Sequence, residues 1–499
     1  MSDLPVLTSA LHAKKKAPIR ILQFGEGNFL RAFIDWMVQK LNDETDYCGH
    51  VAVVQPLPMG RVKNLEEQDG LYTVILQGLN EKKEAVKTHE IISVLDDFID
   101  PYTEYQKFLA YGESKDLEVI VSNTTEAGIA FEEEDVGINM EEKTPISYPG
   151  KLLALLKRRY LKLGKDAEIA IMPCELIDDN GDKLKEVLLK LAAARKEEDG
   201  FIQYLTTSCH YTSSLVDRIV PGFPRDEFKE LCEEYGYVDN NMVKGEYFNL
   251  LVYRHEEFCE RVFPLHKIGG DVHCIYVDDV HPYKQRKVRC LNGSHSSLVP
   301  VAYLAGHNEV RESLLDKNVS TFLNEELFNE IVPTVKVKDV EKFASDVLDR
   351  FMNPYVHHQL MSIALNSIPK FKERDLPTIL DNYKVNNKYP RHLMFAFASL
   401  IKFYEGYRYV NGQKEEIKLV DDKKNLDTMA SLWAEFRKDN DLDKLVNSVL
   451  SNAEFWGQDL TLKAGFADEI KYYLRAIVAK DTSYPEVLDA FVKEELCLK

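Results

Sequence analysis

Lys287, Asn292 and His295 stand in the densest polar stretch of the chain, Tyr283-Lys284-Gln285-Arg286-Lys287-Val288-Arg289-Cys290-Leu291-Asn292-Gly293-Ser294-His295. A lysine in a partly desolvated cleft has a lowered pKa and can shuttle a proton near neutral pH. An amide and an imidazole can donate hydrogen bonds to a carbonyl oxygen as negative charge develops on it. If residues 287–296 are α-helical, Asn292 and His295 lie within about 60° of each other around the axis, and Lys287 about 140° from Asn292. That face is loose, but a cleft beside a helix start could gather all three. The same residues also read as a basic helix with one satisfied histidine.

A second feature with chemical meaning lies near the start. Ile19-Arg20-Ile21-Leu22-Gln23-Phe24 reads as a short buried strand, stopped by Gly25-Glu26-Gly27, and Phe29, Phe33, Met37 and Leu41 then recur every four residues as one face of a helix. Strand, Gly-x-Gly, helix is the opening of a dinucleotide-binding unit. The first glycine permits the tight turn, and the second lets the backbone approach a pyrophosphate at the positive end of the helix. Leu30 replaces the third glycine of the usual fingerprint, and Arg31 follows with a charge. An ordinary strand–helix turn reads the same way. The carboxylate expected on the ribose at the end of the second strand is missing. That strand closes Val54-Gln55-Pro56, and Gln55 could bond a ribose hydroxyl. Arg61 and Lys63 follow and could favour a 2′-phosphate, so this rule does not separate NAD from NADP. Ser122-Asn123-Thr124-Thr125 directly follows another buried strand, where nucleotides bind at the carboxyl end of a sheet. Tyr283-x-x-x-Lys287 has the spacing of short-chain dehydrogenases. It lies some 258 residues past Gly25 in a chain twice the expected length, and we reject that reading.

The elements that must position these residues follow from periodicity. Strand candidates are 19–24, 51–54, 71–76, 91–94, 117–121, 169–172 and 272–277, with a helical pattern around 151–160. Strands alternating with helices predict a largely parallel sheet covered on both faces. Beyond about residue 275 come amphipathic segments near 296–305, 320–331, 339–351, 356–366, 391–404, 427–437, 442–453 and 465–479. The expected fold class is α/β: a Rossmann-type dinucleotide-binding domain over 1–275 and a mostly α-helical domain over 276–499. The polar 283–295 stretch falls at their junction, where ligand clefts are common.

Composition narrows the classes. The chain has 499 residues, 45% hydrophobic and 29% charged, with a net charge of −19. That apolar fraction is too high for a disordered acidic chain. The charge argues against nucleic-acid partners, whose binding runs on phosphate attraction. An anionic small substrate remains compatible, through a local basic pocket. No stretch reaches the ~18 apolar residues of a membrane span, and the polar start, ending Lys14-Lys15-Lys16, is read as a solvated lead-in without a secretory signal. Residues 1–18 are read as a loose tail, and the acidic clusters 132–135 and 197–199 as solvated loops or helix ends. Eight cysteines (Cys48, Cys174, Cys209, Cys232, Cys259, Cys274, Cys290 and Cys497) form no C-x-x-C pair. They predict reduced thiols in a cytoplasmic protein. Neither His255 with Cys259 nor His357-His358 completes a metal ligand set, so no metal is expected.

Several segments carry a family resemblance. Lys287-x4-Asn292-x2-His295 resembles the catalytic signature of the mannitol dehydrogenase family, the polyol-specific long-chain dehydrogenases. Leu215-Val216-Asp217-Arg218-Ile219-Val220-Pro221, Arg350-Phe351-Met352-Asn353-Pro354 and Gly25-Glu26-Gly27-Asn28-Phe29-Leu30-Arg31-Ala32 resemble its other motifs. QFGEGNFLRAFIDW (23–36), QDGLYT (68–73), SNTTEAGI (122–129), PCELI (173–177) and NPYVHHQLMSIALN (353–366) narrow the likeness to a hexuronate-reducing subgroup. The resemblance implies a Rossmann-type domain, a helical domain, an active site in a cleft between them, no metal, and a monomer. It implies interconversion of D-tagaturonate and D-altronate with NADH and NAD in galacturonate breakdown. By the same resemblance Lys287 is the general acid/base, Asn292 polarises the ketone, and His295 bonds a substrate hydroxyl or the same oxygen. Phe24, Gly25, Glu26, Gly27, Asn28, Phe29, Arg31, Gln55, Asn123, Thr124 and Thr125 line the cofactor. Lys370, which could also pair with the substrate carboxylate, Asp217 and Glu175 serve the substrate.

The chain departs from the family at two points. Glu175-Leu176 stands where mannitol dehydrogenases carry an Asp-Asn pair whose asparagine helps form the oxyanion site, and Ser362 replaces an arginine. Both argue against mannitol and fit the hexuronate subgroup. The alternatives are a reductase of D-fructuronate and, in another class, a catalytically silent nucleotide-sensing protein.

Overall fold

The computed structural model describes residues 4–80, 82–125, 127–480 and 482–496, so Cys497 lies outside them. The chain divides into two compact units, Met1–Val280 and His281–Lys499. The boundary falls a few residues past the one expected at 275.

The first unit is built on six strands: β1 (Ile19–Phe24), β2 (His50–Val54), β3 (Leu95–Ile99), β4 (Val119–Ser122), β5 (Ile169–Pro173) and β6 (Cys209–Tyr211). Every pairing among them is parallel, in the order β3-β2-β1-β4-β5-β6. This 3-2-1-4-5-6 order is that of a Rossmann sheet, and its switch point lies between β1 and β4. Successive side chains of a strand point to opposite faces. Ile21, Val51, Val53, Val119, Val121 and Met172 therefore enter one core, while Leu22, Phe24, Ala52, Val54, Ile120 and Ile171 enter another on the far side. Both faces are apolar, which is why these strands read as continuous hydrophobic runs.

Several expectations are corrected. The 71–76 run belongs to a separate sheet, in which Tyr72–Leu79 forms an antiparallel hairpin with Ala85–Ile92 and pairs in parallel with Val243–Glu246. The Ala85–Ile92 strand is polar and mostly exposed, so it lacked an apolar signature. The helix after the glycine turn is two helices, α1 (Asn28–Ala32) and α2 (Ile34–Glu44), broken at Phe33. The tail is anchored: Leu7 is fully buried, and its N–H donates to the Val238 carbonyl at 2.9 Å. Lys14 is an ion-pair partner of Asp96 at 2.8 Å rather than a solvated charge. Asp135 is fully buried and accepts from the Ile146 N–H, the Ser147 N–H and the Ser147 hydroxyl. Glu197 is drawn in by Lys157 and Arg195.

The second unit is mainly helical, with one small hairpin, Tyr407–Val410 with Gln413–Glu416. Its centre is the helix Arg391–Phe403, buried without interruption from His392 to Phe403. A helix apolar all round belongs inside a bundle. Ser294–Leu304, also wholly buried, packs against it, as does Phe466–Ala479. Sequence periodicity located 391–404 and 465–479 closely. The 356–366 segment holds only a short helix, Leu360–Ile363, and two helices that periodicity did not locate follow it, Ser367–Arg374 and Leu376–Asn386. Among the described residues no helix is long and apolar enough to cross a membrane.

Candidate active site

In the first unit the glycine turn closes β1 at the switch point. Phe24 is a core residue, and its carbonyl accepts from the Asn123 N–H at 3.1 Å. Gly25 adopts φ +124°, and a Cβ there would meet the Asn123 carbonyl at 3.1 Å. Conformation and close approach thus both demand glycine. Gly27 differs: its φ is −66°, and a Cβ there would meet nothing within 4 Å. Among the described residues nothing requires glycine at this position. A phosphate drawn close to the backbone would.

The residues around the turn have distinct roles. Arg31 is buried and turned inward. Its guanidinium donates to the Glu26 carbonyl, the Asn241 carbonyl and the Asn28 side chain, and lies over Tyr72. It ties the turn to the Asn241 loop and lines the same cavity as Gly27. The Glu26 carboxylate accepts the Arg61 N–H at 3.0 Å. Phe29 packs its ring on Phe33. Gln55 is buried, and its amide donates to the Pro58 carbonyl within its own loop, so the ribose contact expected of it is replaced by a loop-stabilising bond. Glu26, Gly27, Asn28, Arg31, Arg61 and Arg225 are among the residues that line one cavity of about 530 Å³.

The Asn123 loop is clamped by Glu175. Its carboxylate accepts from the Thr124 N–H at 3.0 Å, the Thr124 hydroxyl at 2.9 Å and the Ser122 hydroxyl at 3.0 Å, and the Asn123 amide donates to the Cys174 carbonyl at 2.7 Å. Glu175 is buried with both oxygens occupied. It positions the loop instead of meeting substrate, as sequence alone had placed it. Thr125 follows at φ +82°, an outlier for a β-branched residue and a mark of a strained loop. Asp217 closes the strand Ser214–Asp217 and is buried. The exposed Leu176 has no donor to offer an oxyanion.

In the second unit Lys287, Asn292 and Gly293 form part of a π-helix, Lys287–Gly293, set between the α-helices His281–Arg286 and Ser294–Leu304. This changes the face geometry. In an α-helix Lys287 and Asn292 would diverge by about 140°. A π turn closes its backbone bond over five residues, so a residue five positions on comes round to nearly the same side. Carbonyls at the change of register are satisfied locally. The Ser296 hydroxyl donates to the Asn292 carbonyl at 3.0 Å, and the Ser297 hydroxyl to that of Gly293 at 3.2 Å. Arg374 donates to the Asn292 carbonyl at 3.4 Å and to the Ser296 hydroxyl at 3.0 Å.

His295 is buried, stacked on Phe351 and met edge-on by His358. Burial, then His358 and the cations Arg350, Arg374 and Lys370, hold its pKa well below the ordinary imidazole value. The ring is therefore neutral, and its buried Nε2 has no hydrogen-bond partner among the described residues. Burial also lowers Lys370 and Arg374. The adjacent Asp375 carboxyl is pushed up by its own burial, against the pull of Arg374. Arg286 and Arg289 point into the fold: Arg286 lies over Phe343, and Arg289 pairs with Asp381 at 2.6 Å. Sequence reasoning missed Arg374, Phe351 and His358. The i, i+4 spacing of Lys370 and Arg374 was a usable signal, since it puts both on one helix face. Among the described residues no cluster of three metal-ligating side chains occurs.

Family comparison agrees with this layout. Residues 19–265 match the mannitol dehydrogenase Rossmann domain, and 279–478 match the mannitol dehydrogenase C-terminal domain. The chain belongs to the mannitol dehydrogenase family. It is an oxidoreductase. Altronate oxidoreductase from Escherichia coli O6:K15:H31 is 42% identical over 468 residues, covering 93% of this chain and 95% of that protein. The enzyme of the same name from an Enterobacter species is 42% identical over 92% of this chain and 95% of its own. Two solved structures share the fold. A D-sorbitol dehydrogenase in substrate-free form superposes with a TM-score of 0.80 at 20% identity, over 96% of this chain and 99% of its own. Pseudomonas fluorescens mannitol 2-dehydrogenase, in ternary complex with NAD and D-mannitol, gives 0.65 at 19% identity, over 99% and 98%.

Proposed function

We propose that this member of the mannitol dehydrogenase family interconverts D-tagaturonate and D-altronate with NADH and NAD, acting as a monomer. The altronate oxidoreductase relatives, 42% identical over 93% of the chain, support the substrate. The observation that carries it is the set of cations, Lys370, Arg374 and Arg350, around the neutral His295. A neutral polyol has no need of that charge, whereas a sugar acid has a carboxylate to match it.

A bound nicotinamide dinucleotide supplies or accepts the hydride. Gly27 is the residue whose missing Cβ suits a close pyrophosphate, and Phe24, Gly25, Glu26, Asn28, Phe29 and the Asn123, Thr124 and Thr125 loop shape the same edge of the sheet. In the reductive direction the Lys287 ammonium protonates the ketone oxygen as negative charge develops there. The Asn292 amide, brought to the same side by the π turn, donates to that oxygen. His295 offers its unpartnered Nε2 to a substrate hydroxyl, recovering the cost of about 1–3 kcal/mol for a buried polar atom without a bond. Lys370 pairs with the substrate carboxylate, and Asp217 serves a substrate hydroxyl.

Turnover tests this reading. Purified protein should oxidise NADH with D-tagaturonate, and D-fructuronate, fructose and fructose 6-phosphate should be far poorer substrates. A clear preference for D-fructuronate overturns the assignment. Lys287→Ala should lower kcat about 10²-fold or more while NADH binding stays nearly intact.

A further inference from the structure

The guanidinium of Arg374 is anchored along one edge only. Its Nη1 donates to the Ser296 hydroxyl at 3.0 Å and to the Asn292 carbonyl at 3.4 Å. The Ser296 hydroxyl donates to that same carbonyl at 3.0 Å, so three polar groups close a triangle near the end of the π-helix. The other edge carries Nε and Nη2, whose N–H bonds run parallel and match the two oxygens of a carboxylate. Among the described residues neither of these nitrogens has a hydrogen-bond partner, and no carboxylate forms an ion pair with the side chain. The two acids whose charge reaches Lys370 and Arg374 are placed elsewhere. Asp375 is buried against Gly293, where a Cβ would stand 3.0 Å from its Oδ1. Asp421 accepts from the Tyr404 hydroxyl and the Asn425 amide. Lys370 precedes Arg374 by one turn of the helix Ser367–Arg374 and donates to the Ile363 carbonyl at 2.9 Å, which occupies one of its three N–H bonds. Both cations act on His295, whose buried Nε2 is itself without a partner among the described residues. Arg374 is half-buried, and a partly desolvated cation with a free fork is completed by an anion that brings two oxygens.

We propose that Arg374 is the residue that reads the acid group of the substrate, bonding its carboxylate through Nε and Nη2 with Lys370 beside it, and so selects a sugar acid over the neutral sugar of the same skeleton. The inference rests on the sugar-acid half of the proposed function and names the side chain that enforces it. A carboxylate seated on the fork also fixes the plane of the guanidinium. Through Nη1 the acid end of the substrate is then tied to the backbone that carries the Asn292 amide. The test is calorimetric titration of the full chain saturated with NADH, which cannot react with an already reduced sugar. The ligands are D-altronate and, separately, D-altritol, which carries a primary alcohol in place of the carboxylate. D-altronate should bind at least about tenfold more tightly, the worth of one or two charge-assisted hydrogen bonds. Arg374→Ala should remove most of that difference, with an unchanged melting curve showing that the variant folds. Arg374→Lys keeps the charge without the fork and should retain only part of it. Equal binding of the two ligands by the native protein overturns the proposal, and so does a preference that Arg374→Ala retains. A loss of affinity shared equally by both ligands overturns it too, since the side chain would then only shape the site. Failure of D-tagaturonate turnover alongside an Arg374-dependent preference would sink the proposed reaction and leave the carboxylate site standing. Normal turnover with a preference independent of Arg374 would sink this inference alone.

Discussion

The imidazole of His295 lies nearly flat on the ring of Phe351, with centroids 4.1 Å apart and planes inclined by 21°. The stack fixes the ring and removes water from one face. With His358 edge-on and three cations nearby, the neutral form is the stable one. The free imidazole titrates near 6.5. Stability from holding the ring neutral is therefore present above pH 6.5 and declines as the pH falls below it, where the unfolded chain binds the extra proton. His295→Gln should flatten the fall in melting temperature between pH 7 and pH 5. An identical slope in the two proteins would mean that the ring titrates as freely in the fold as outside it.

The two glycines of the turn should separate folding from binding. Gly25→Ala places a Cβ at φ +124° and 3.1 Å from the Asn123 carbonyl, so it should cost about 1–3 kcal/mol and lower the melting temperature. Gly27→Ala meets no protein atom within 4 Å, so its melting temperature should match the native one. Its affinity for NADH should nonetheless drop about tenfold or more, as read by quenching of protein fluorescence. Unchanged affinity would remove Gly27 from the cofactor contact.

Glu175 should act on the cofactor loop from behind. Glu175→Ala leaves the Thr124 N–H, the Thr124 hydroxyl and the Ser122 hydroxyl without their acceptor. We expect a loss of roughly 1–3 kcal/mol in stability. We also expect a raised KM for NADH, with kcat at saturating NADH far less affected. A raised KM for the sugar acid alone would restore it as a substrate ligand.

Asp35 lies beneath the turn, bonded to the Gln23 amide and the Tyr72 hydroxyl. Burial raises its pKa from the ordinary 3.8 to about 7, against the pull of those two bonds. The protonated acid is the one the fold favours. The stability it contributes is full below pH 3.8 and is lost as the pH rises through about 7. Asp35→Asn keeps an acceptor for both neighbours and never ionises. It should melt several degrees higher than the native protein at pH 8, with a ceiling of about 4 kcal/mol, and show little gain at pH 4. No gain at pH 8 would mean that the carboxylate is solvated in the folded state.

The parts legible in the sequence were those written in local patterns. β1, β2 and β5 announced themselves because both faces of a parallel sheet are buried and most positions are apolar. The Ala85–Ile92 strand, polar and exposed, had no such mark. Gly25 and Gly27 were recognisable by type, but only the fold distinguishes the one the backbone needs from the one it does not. The partners of Arg31 and Glu175 within the fold were not legible, since charge at a position does not say which way the side chain turns.

By itself the sequence determined the α/β-then-helical order and the family, because each is carried by residue type and spacing along the chain. The tertiary structure decided the rest. The π turn of Lys287–Gly293 brings positions five apart to one side, a register no α-helical periodicity predicts. Segments distant in sequence bring Phe351, His358, Lys370 and Arg374 around His295, and their burial and charge set its protonation. Burial, hydrogen-bond partnership and field strength depend on what packs against a residue, and that is settled only once the chain has folded.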